Sequence, residues 1–212
     1  MIDVETARGY YADGDSAHGF DHVLRVWRVA LHLAEEEGAD REVVSAAALL
    51  HDVGRAEELR TGVCHAQQGA LMAREILRGQ PSAFVEAVVE AIVQHRFRGG
   101  QEPTTLESRI LYDADKLDAI GAIGVARAYA VAGMMHQHLW ARVDPAYAER
   151  PPQAGANDLG ESEHTPVHEY LFKLVKLRDR LTTRTGKRMA EERHRFMAEF
   201  FERLDAEVAG QI

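Results

Sequence analysis

The stretch Ala46-Ala47-Ala48-Leu49-Leu50-His51-Asp52-Val53-Gly54 reads as a small, apolar helix end that finishes on two strong metal ligands and stops at a glycine. An imidazole and a carboxylate buried at the end of such a helix are costly unless something pairs with them. Two partners satisfy that demand. His51 and Asp52 can hydrogen-bond to each other and cap a core helix, or a divalent cation can take both, since nitrogen and carboxylate donors suit Mn, Fe, Zn and Ni. The dipeptide alone does not choose between them, so the choice falls to the rest of the chain.

Upstream, a short first helix is expected over residues 3–12. A second is expected from about Ala17 to Glu37, with Ser16 as its cap and Gly38 as its stop. Val23, Val26, Trp27, Ala30, Leu31 and Ala34 recur in it at helical spacing. His18 and His22 are four apart, so both imidazoles leave one face. Asp40 is placed to cap the helix that ends at His51-Asp52, whose core face is Val43, Val44, Ala47, Leu50 and Val53. Arg55-Ala56-Glu57-Glu58 then reads as the start of a polar connection.

Downstream, His65 opens a helix that runs through Gly69, Ala73 and Leu77 to the break at Gly79-Gln80-Pro81. The next helix, about Pro81 to Gln94, carries Val85, Val88, Val89 and Ile92 on its apolar face, and His95 continues that face. Thr104-Thr105-Leu106-Glu107 is read as a capping box with Thr104 as cap and Glu107 reaching back. In the long helix that follows, Asp115 shares a partly buried face with Leu111 and Asp118. From about 134 to 166 the chain turns irregular, with Pro151-Pro152, Gly155 and Gly160, and a flap is expected there. Amphipathic helices resume over about 167–209. With no strand-like alternation of any length, the fold expected is all-α, one domain over 1–212 with its core at about 16–133.

Composition narrows the partners. The chain has 212 residues, 46% hydrophobic and 28% charged, with a formal charge of −9. That balance fits a globular domain with a sizeable core, and it offers no basic field for a nucleic-acid backbone. A small anionic substrate held by local arginines fits instead. Cys64 is the single cysteine, which excludes an intrachain disulfide framework and a multi-thiolate zinc site. Residues 1–10 do not read as a signal peptide, and no apolar run approaches the ~20 residues a membrane helix needs. A cytoplasmic chain that uses neither membrane nor nucleic acid is expected, with its oligomeric state open.

Collected in order, the polar residues on apolar faces or helix ends are His22, His51, Asp52, His65, His95 and Asp115. Donors of these types converging from several helices would make a mono- or binuclear metal site. The order His22…His51-Asp52…Asp115, with the last in Ala114-Asp115-Lys116-Leu117, resembles the HD superfamily of metal-dependent phosphohydrolases. His18-Gly19-Phe20-Asp21-His22-Val23-Leu24-Arg25-Val26, Gln94-His95-Arg96-Phe97, Leu111 to Ala119 and Ala190 to Met197 are similar to a bacterial branch of small single-domain members. Some of that branch are nucleotide pyrophosphohydrolases. One position departs: relatives often carry Asp directly after the first His, where this chain has Gly19.

The resemblance implies a metal held by His22, His51, Asp52 and Asp115. His65 and His95 would either bind a second ion or grip substrate phosphate around one. Mn2+ is the favoured ion, with Mg2+, Fe2+, Ni2+, Co2+ and Zn2+ also suited to such ligands. The expected chemistry is attack of metal-activated water on phosphorus in a small phosphorylated substrate, a nucleotide by branch resemblance. Asp52 would orient the water, and His65 or His95 would protonate the leaving group or hold its phosphate. His18, Lys116, Arg25 and Arg96 are the candidate substrate contacts; Arg55 and Arg98 read more simply as solvated charges. (d)NTP pyrophosphohydrolysis leads, followed by phosphomonoesterase or cyclic-nucleotide phosphodiesterase activity. An HD-type diiron oxygenase and a non-catalytic metal-stabilised binding module are the competing classes.

Overall fold

The HD dipeptide lies at the end of a helix, Arg41–Leu50, that is buried from Val43 to Leu50 except at Ser45. The computed structural model describes residues 2–11, 19–96, 102–149 and 164–212, and among these no β-strand occurs. The elements are α1 (Val4–Arg8), α2 (Phe20–Glu37), α3 (Arg41–Leu50), α4 (Arg55–Thr61), α5 (His65–Ile76), α6 (Ser82–Gln94), α7 (Leu106–Leu117), α8 (Gly121–Met134), α9 (Pro145–Ala148) and α10 (Pro166–Glu169). A π-helical turn (Tyr170–Leu174), α11 (Val175–Leu177), a 3-10 turn (Arg178–Arg180) and α12 (Arg184–Val208) complete the elements of the described residues. They form two compact units, one of Met1–Lys116 with Thr182–Gly186, the other of Leu117–Leu181 with Lys187–Ile212.

In the first unit α3 packs against α2 and α6, and α5 packs against α6 and α4. Asp40 starts α3 by accepting from the backbone N–H groups of Glu42 and Val43, which satisfies donors that a helix start leaves open. Gly38, at φ +76°, ends α2 in the left-handed conformation, its N–H closing on the Ala34 carbonyl. Leu49 and Leu50 are fully enclosed, a burial worth roughly 1.5–3 kcal/mol per side chain. Tight contact sets where α5 lies. A Cβ on Gly54 would stand 2.5 Å from both the Gly69 nitrogen and the His65 carbonyl oxygen, so the start of α5 is pressed directly onto the turn that carries Asp52.

Several boundaries differ from the sequence expectation. The residues after Gly54 form a helix, α4, rather than a connection. No residue of α4 is buried, so it shows no apolar stripe for periodicity to detect. The capping box of α7 sits one residue later than expected. Thr105 N–H donates to Ser108 Oγ at 3.0 Å, and Ser108 N–H donates to Thr105 Oγ1 at 3.1 Å. Glu107 turns away and accepts from the Asp40 backbone N–H at 3.0 Å, because the inward N3 position belongs to the buried Ser108. The first helix spans only Val4–Arg8, and α2 begins at Phe20. Within the expected flap, Pro145–Ala148 is helical; residues 150–163 lie outside the described residues, as do Ser16, His18 and Arg98.

On the inner side of α7, Asp113 is fully buried. It accepts from the backbone N–H and the hydroxyl of both Thr182 and Thr183, at 2.6–3.0 Å. This clasp pins the segment leading into α12, and Glu37 adds to it by accepting from Thr185 N–H at 2.6 Å.

The second unit is held by its own set of contacts. Tyr170 stacks on Phe201 at 4.2 Å between ring centroids, Trp140 Nε1 donates to Asp205, and Arg127 pairs with the buried Asp118 at 2.9 Å. Tyr147 packs among His164, His168 and Phe172. Burial opposes ionisation of Glu169, but His164 and Lys173 prevail and pull its carboxyl down to about 2.

Candidate metal centre

Five segments of the first unit each aim one or two polar side chains at a common point. His22 lies in the first turn of α2, His51 is the C-cap of α3 with Asp52 after it, His65 opens α5, His95 is the C-cap of α6, and Asp115 lies near the end of α7. His22, His51, Asp52, His65 and His95 are all buried.

Asp52 is the centre of the arrangement. Its Oδ2 lies 3.8 Å from His22 Nε2 and 3.9 Å from His51 Nε2. Its Oδ1 lies 3.4 Å from His65 Nε2 and 3.8 Å from His95 Nε2. Asp115 Oδ1 is 3.5 Å from His22 Nε2. Most of these separations are too long for hydrogen bonds. They approach the spacing of neighbouring ligands around one ion, which bind at roughly 2.0–2.2 Å and therefore stand about 3.0–3.5 Å apart. Two triads, His22–His51–Asp52 and Asp52–His65–His95, have donor atoms close enough to hold a metal and share the one carboxylate.

The hydrogen bonds on the far side of each ring say which nitrogen is available. His51 Nδ1 is 2.8 Å from the Ala48 carbonyl oxygen, and His95 Nδ1 is 2.5 Å from that of Ile92. A carbonyl only accepts, so the ring proton sits on Nδ1 and the Nε2 lone pair faces the cluster. His65 Nδ1 meets the Glu58 carboxylate at 2.6 Å. His51 Nε2 is buried with no hydrogen-bond partner among the described residues, an orphan that a cation would satisfy. Burial, with the neighbouring imidazoles, drives the His51 pKa down to about 4, so this ring is neutral at pH 7. Burial alone would neutralise Asp52, yet His51, His95, Arg55 and His22 outweigh it and hold the carboxyl well below the usual range. Asp115 behaves likewise, with Lys116 the strongest of the groups favouring its charge. A neutral His51 beside ionised Asp52 and Asp115 is compatible with a divalent metal.

The remaining candidates are placed unevenly. Lys116 Nζ is buried, 2.7 Å from Asp115 Oδ2, and donates to the His95 carbonyl at 3.2 Å. Arg96 donates to Cys64 Sγ at 2.8 Å and pairs with Glu58 at 3.1 Å. Arg25 lies on α2, ion-paired to Asp21 at 2.5 Å. Arg55, read as a solvated charge, instead turns inward, its Nε 3.6 Å from Asp52 Oδ2. Sequence reasoning missed two participants. Glu58 sits in a run of charged residues with no apolar face. Tyr11 donates its hydroxyl to the Leu49 carbonyl at 2.9 Å, behind the HD turn. No local pattern marks either residue: Tyr11 meets a carbonyl 38 positions away, and Glu58 reaches His65 only through the turn between α4 and α5.

Helices that bring His, His-Asp and Asp side chains into one buried cluster in this order define the HD superfamily. The HD domain family profile matches residues 19–120, and the chain belongs to that superfamily and has the fold of its hydrolases. Among its relatives is YpgQ of Bacillus subtilis (strain 168), 31% identical over 205 residues, which span 93% of this chain and 88% of that protein. A predicted HD superfamily hydrolase from an uncultured Thermotogales bacterium superposes with a TM-score of 0.67 at 32% identity, covering 96% of this chain and 90% of that one. The crystal structure of B. subtilis YpgQ in complex with ADP gives a TM-score of 0.74 at 26% identity over 98% and 99% of the two chains. No single helix among the described residues is long and apolar enough to cross a membrane.

Proposed function

We propose that this chain is a metal-dependent phosphohydrolase acting on a nucleotide, with (d)NTP pyrophosphohydrolysis as the reaction and Mn2+ as the favoured ion. One observation carries the reading: a buried carboxylate, Asp52, faces the Nε2 atoms of four imidazoles at 3.4–3.9 Å. The YpgQ complex with ADP supports a nucleotide as the substrate class.

His22, His51, Asp52 and Asp115 would hold the ion, and His65 and His95 would hold a second or contact phosphate. When bound, such an ion lowers the pKa of a coordinated water toward ~7 and polarises a phosphoryl oxygen. Asp52 orients the attacking water in line with the bond that breaks. To protonate the leaving oxygen or hold its phosphate, His65 or His95 would first take up a second proton, at the Nε2 that faces the cluster. Lys116, Arg96, Arg25 and His18 are the proposed substrate contacts, neutralising charge that grows on phosphate oxygens. The adjacency of Lys116 to Asp115, and of Arg96 to the Glu58–His65 pair, supports those two.

The test is a Mn2+-supplemented screen over nucleoside tri-, di- and monophosphates and cyclic dinucleotides, with Asp52→Ala as control. Pyrophosphate release from a triphosphate, lost in Asp52→Ala, is the expected result. Full turnover by Asp52→Ala would refute the mechanism, and orthophosphate as the only product would replace the reaction type. Metal analysis and spectroscopy separate this hydrolase from a mixed-valent iron oxygenase.

A further inference from the structure

We infer that Glu58 is the positioning residue for His65 and decides whether the Asp52–His65–His95 triad can hold an ion. The inference rests on reading the cluster as a metal centre. His51, His95 and His65 stand at different kinds of helix end. His51 and His95 stand at the C-terminal ends of α3 and α6, where backbone carbonyls lack helical partners. Each therefore finds an acceptor three residues back on its own helix, Ala48 or Ile92. His65 stands at the opposite kind of helix end. A helix start offers unpaired N–H donors and no spare carbonyl, so α5 itself cannot keep the proton on His65 Nδ1.

Glu58 supplies the missing acceptor from another helix. Its Oε2 is 2.6 Å from His65 Nδ1. The carboxylate is oriented in turn by two guanidinium groups: Arg96 Nη1 at 3.1 Å from Oε1 and Arg55 Nη1 at 3.4 Å from Oε2. Arg96 also grips Cys64 Sγ, and Cys64 is the N-cap of α5. With its proton held on Nδ1, His65 turns a bare Nε2 toward Asp52 Oδ1, 3.4 Å away. With the proton on Nε2 instead, the same two atoms would form a histidine–aspartate hydrogen bond, and the ligand position would be lost. The inference also explains α4. This helix buries no residue of its own, and its ordered contribution is to carry Arg55 and Glu58 to the cluster.

Two measurements test this, one of them independent of metal. In the metal-free protein, long-range 1H–15N spectra of the imidazoles should show His65 as the Nδ1–H tautomer, and Glu58→Ala should move it to the other tautomer or to a mixture. In a Mn2+ titration followed by calorimetry and electron paramagnetic resonance, Glu58→Ala should weaken the second equivalent about 10–100-fold, the range for removing such a supporting carboxylate. The first equivalent should be unchanged. Glu58→Gln, which keeps the shape and an acceptor oxygen, should lose less. An unaltered His65 tautomer, or unaltered Mn2+ stoichiometry and affinity in Glu58→Ala, would overturn the inference. A wild-type chain that takes up no ion, while Glu58→Ala still shifts the His65 tautomer, would sink the metal reading and leave the Glu58–His65 link standing.

Discussion

Two aspartates on α7, two residues apart, meet opposite surroundings. Asp113 is closed off by four donors from Thr182 and Thr183. Asp115 has one ammonium, from Lys116, on Oδ2, and its other oxygen faces His22 Nε2 at 3.5 Å. Burial raises the Asp113 pKa despite its hydrogen bonds, whereas Lys116 and the imidazoles around Asp115 lower its pKa against the effect of desolvation. The difference teaches how to sort buried carboxylates. One whose oxygens are filled by fixed donors holds the fold together, and one with an oxygen turned toward a histidine cluster would, on the proposed reading, take a cation there.

That contrast can be broken most directly by the same substitution at both positions. Asp115→Asn removes the charge while keeping the shape, so Mn2+ affinity should fall by at least ~10²-fold, beyond the range expected for residues that only support ligands. Its melting temperature without metal should also fall, because the buried Lys116 loses its carboxylate partner. An Asp115→Asn protein that binds Mn2+ as tightly as the wild type would erase the distinction.

Acid sharpens the comparison next, through His51. Its folded pKa, about 4, lies below the ordinary 6.5. The unfolded chain therefore takes up this proton first, and the stability contributed by the neutral ring is present above pH 6.5 and lost as pH falls toward 4. The full loss approaches roughly 3 kcal/mol. Asp52 and Asp115, with lowered pKa values, add their losses only below the usual carboxylate range. Melting curves of chelated protein from pH 7.5 to 4.5 should show the decline. A flat profile would mean that His51 is not held neutral by burial.

The smallest effect belongs to Asp113→Asn. An amide group would face a threonine N–H donor, leaving buried donors unpaired at a cost of about 1–3 kcal/mol in urea unfolding, with Mn2+ affinity unchanged. Weakened metal binding without lost stability would reverse the roles assigned to the two aspartates.

How far the sequence could be read depended on where each partner lay. The apolar spacing in α2, α3 and α6 marks helix faces, and His22, His51 and His95 fall on or at the end of those faces. Ser108 in the α7 cap, and α4 as a whole, escaped because their geometry depends on what packs nearby. Arg55, a solvated charge by sequence alone, turns toward Asp52.

The sequence by itself determined the all-α architecture, the apolar faces and the residue types available to bind a cation, because periodicity and side-chain chemistry are local. Only the tertiary structure decided that Asp52 is shared between two sets of imidazoles, and that Glu58, seven residues before His65, meets its Nδ1. Those relations depend on helices crossing at distances set by close packing, such as α5 against Gly54, and no stretch of one chain segment encodes where another will lie.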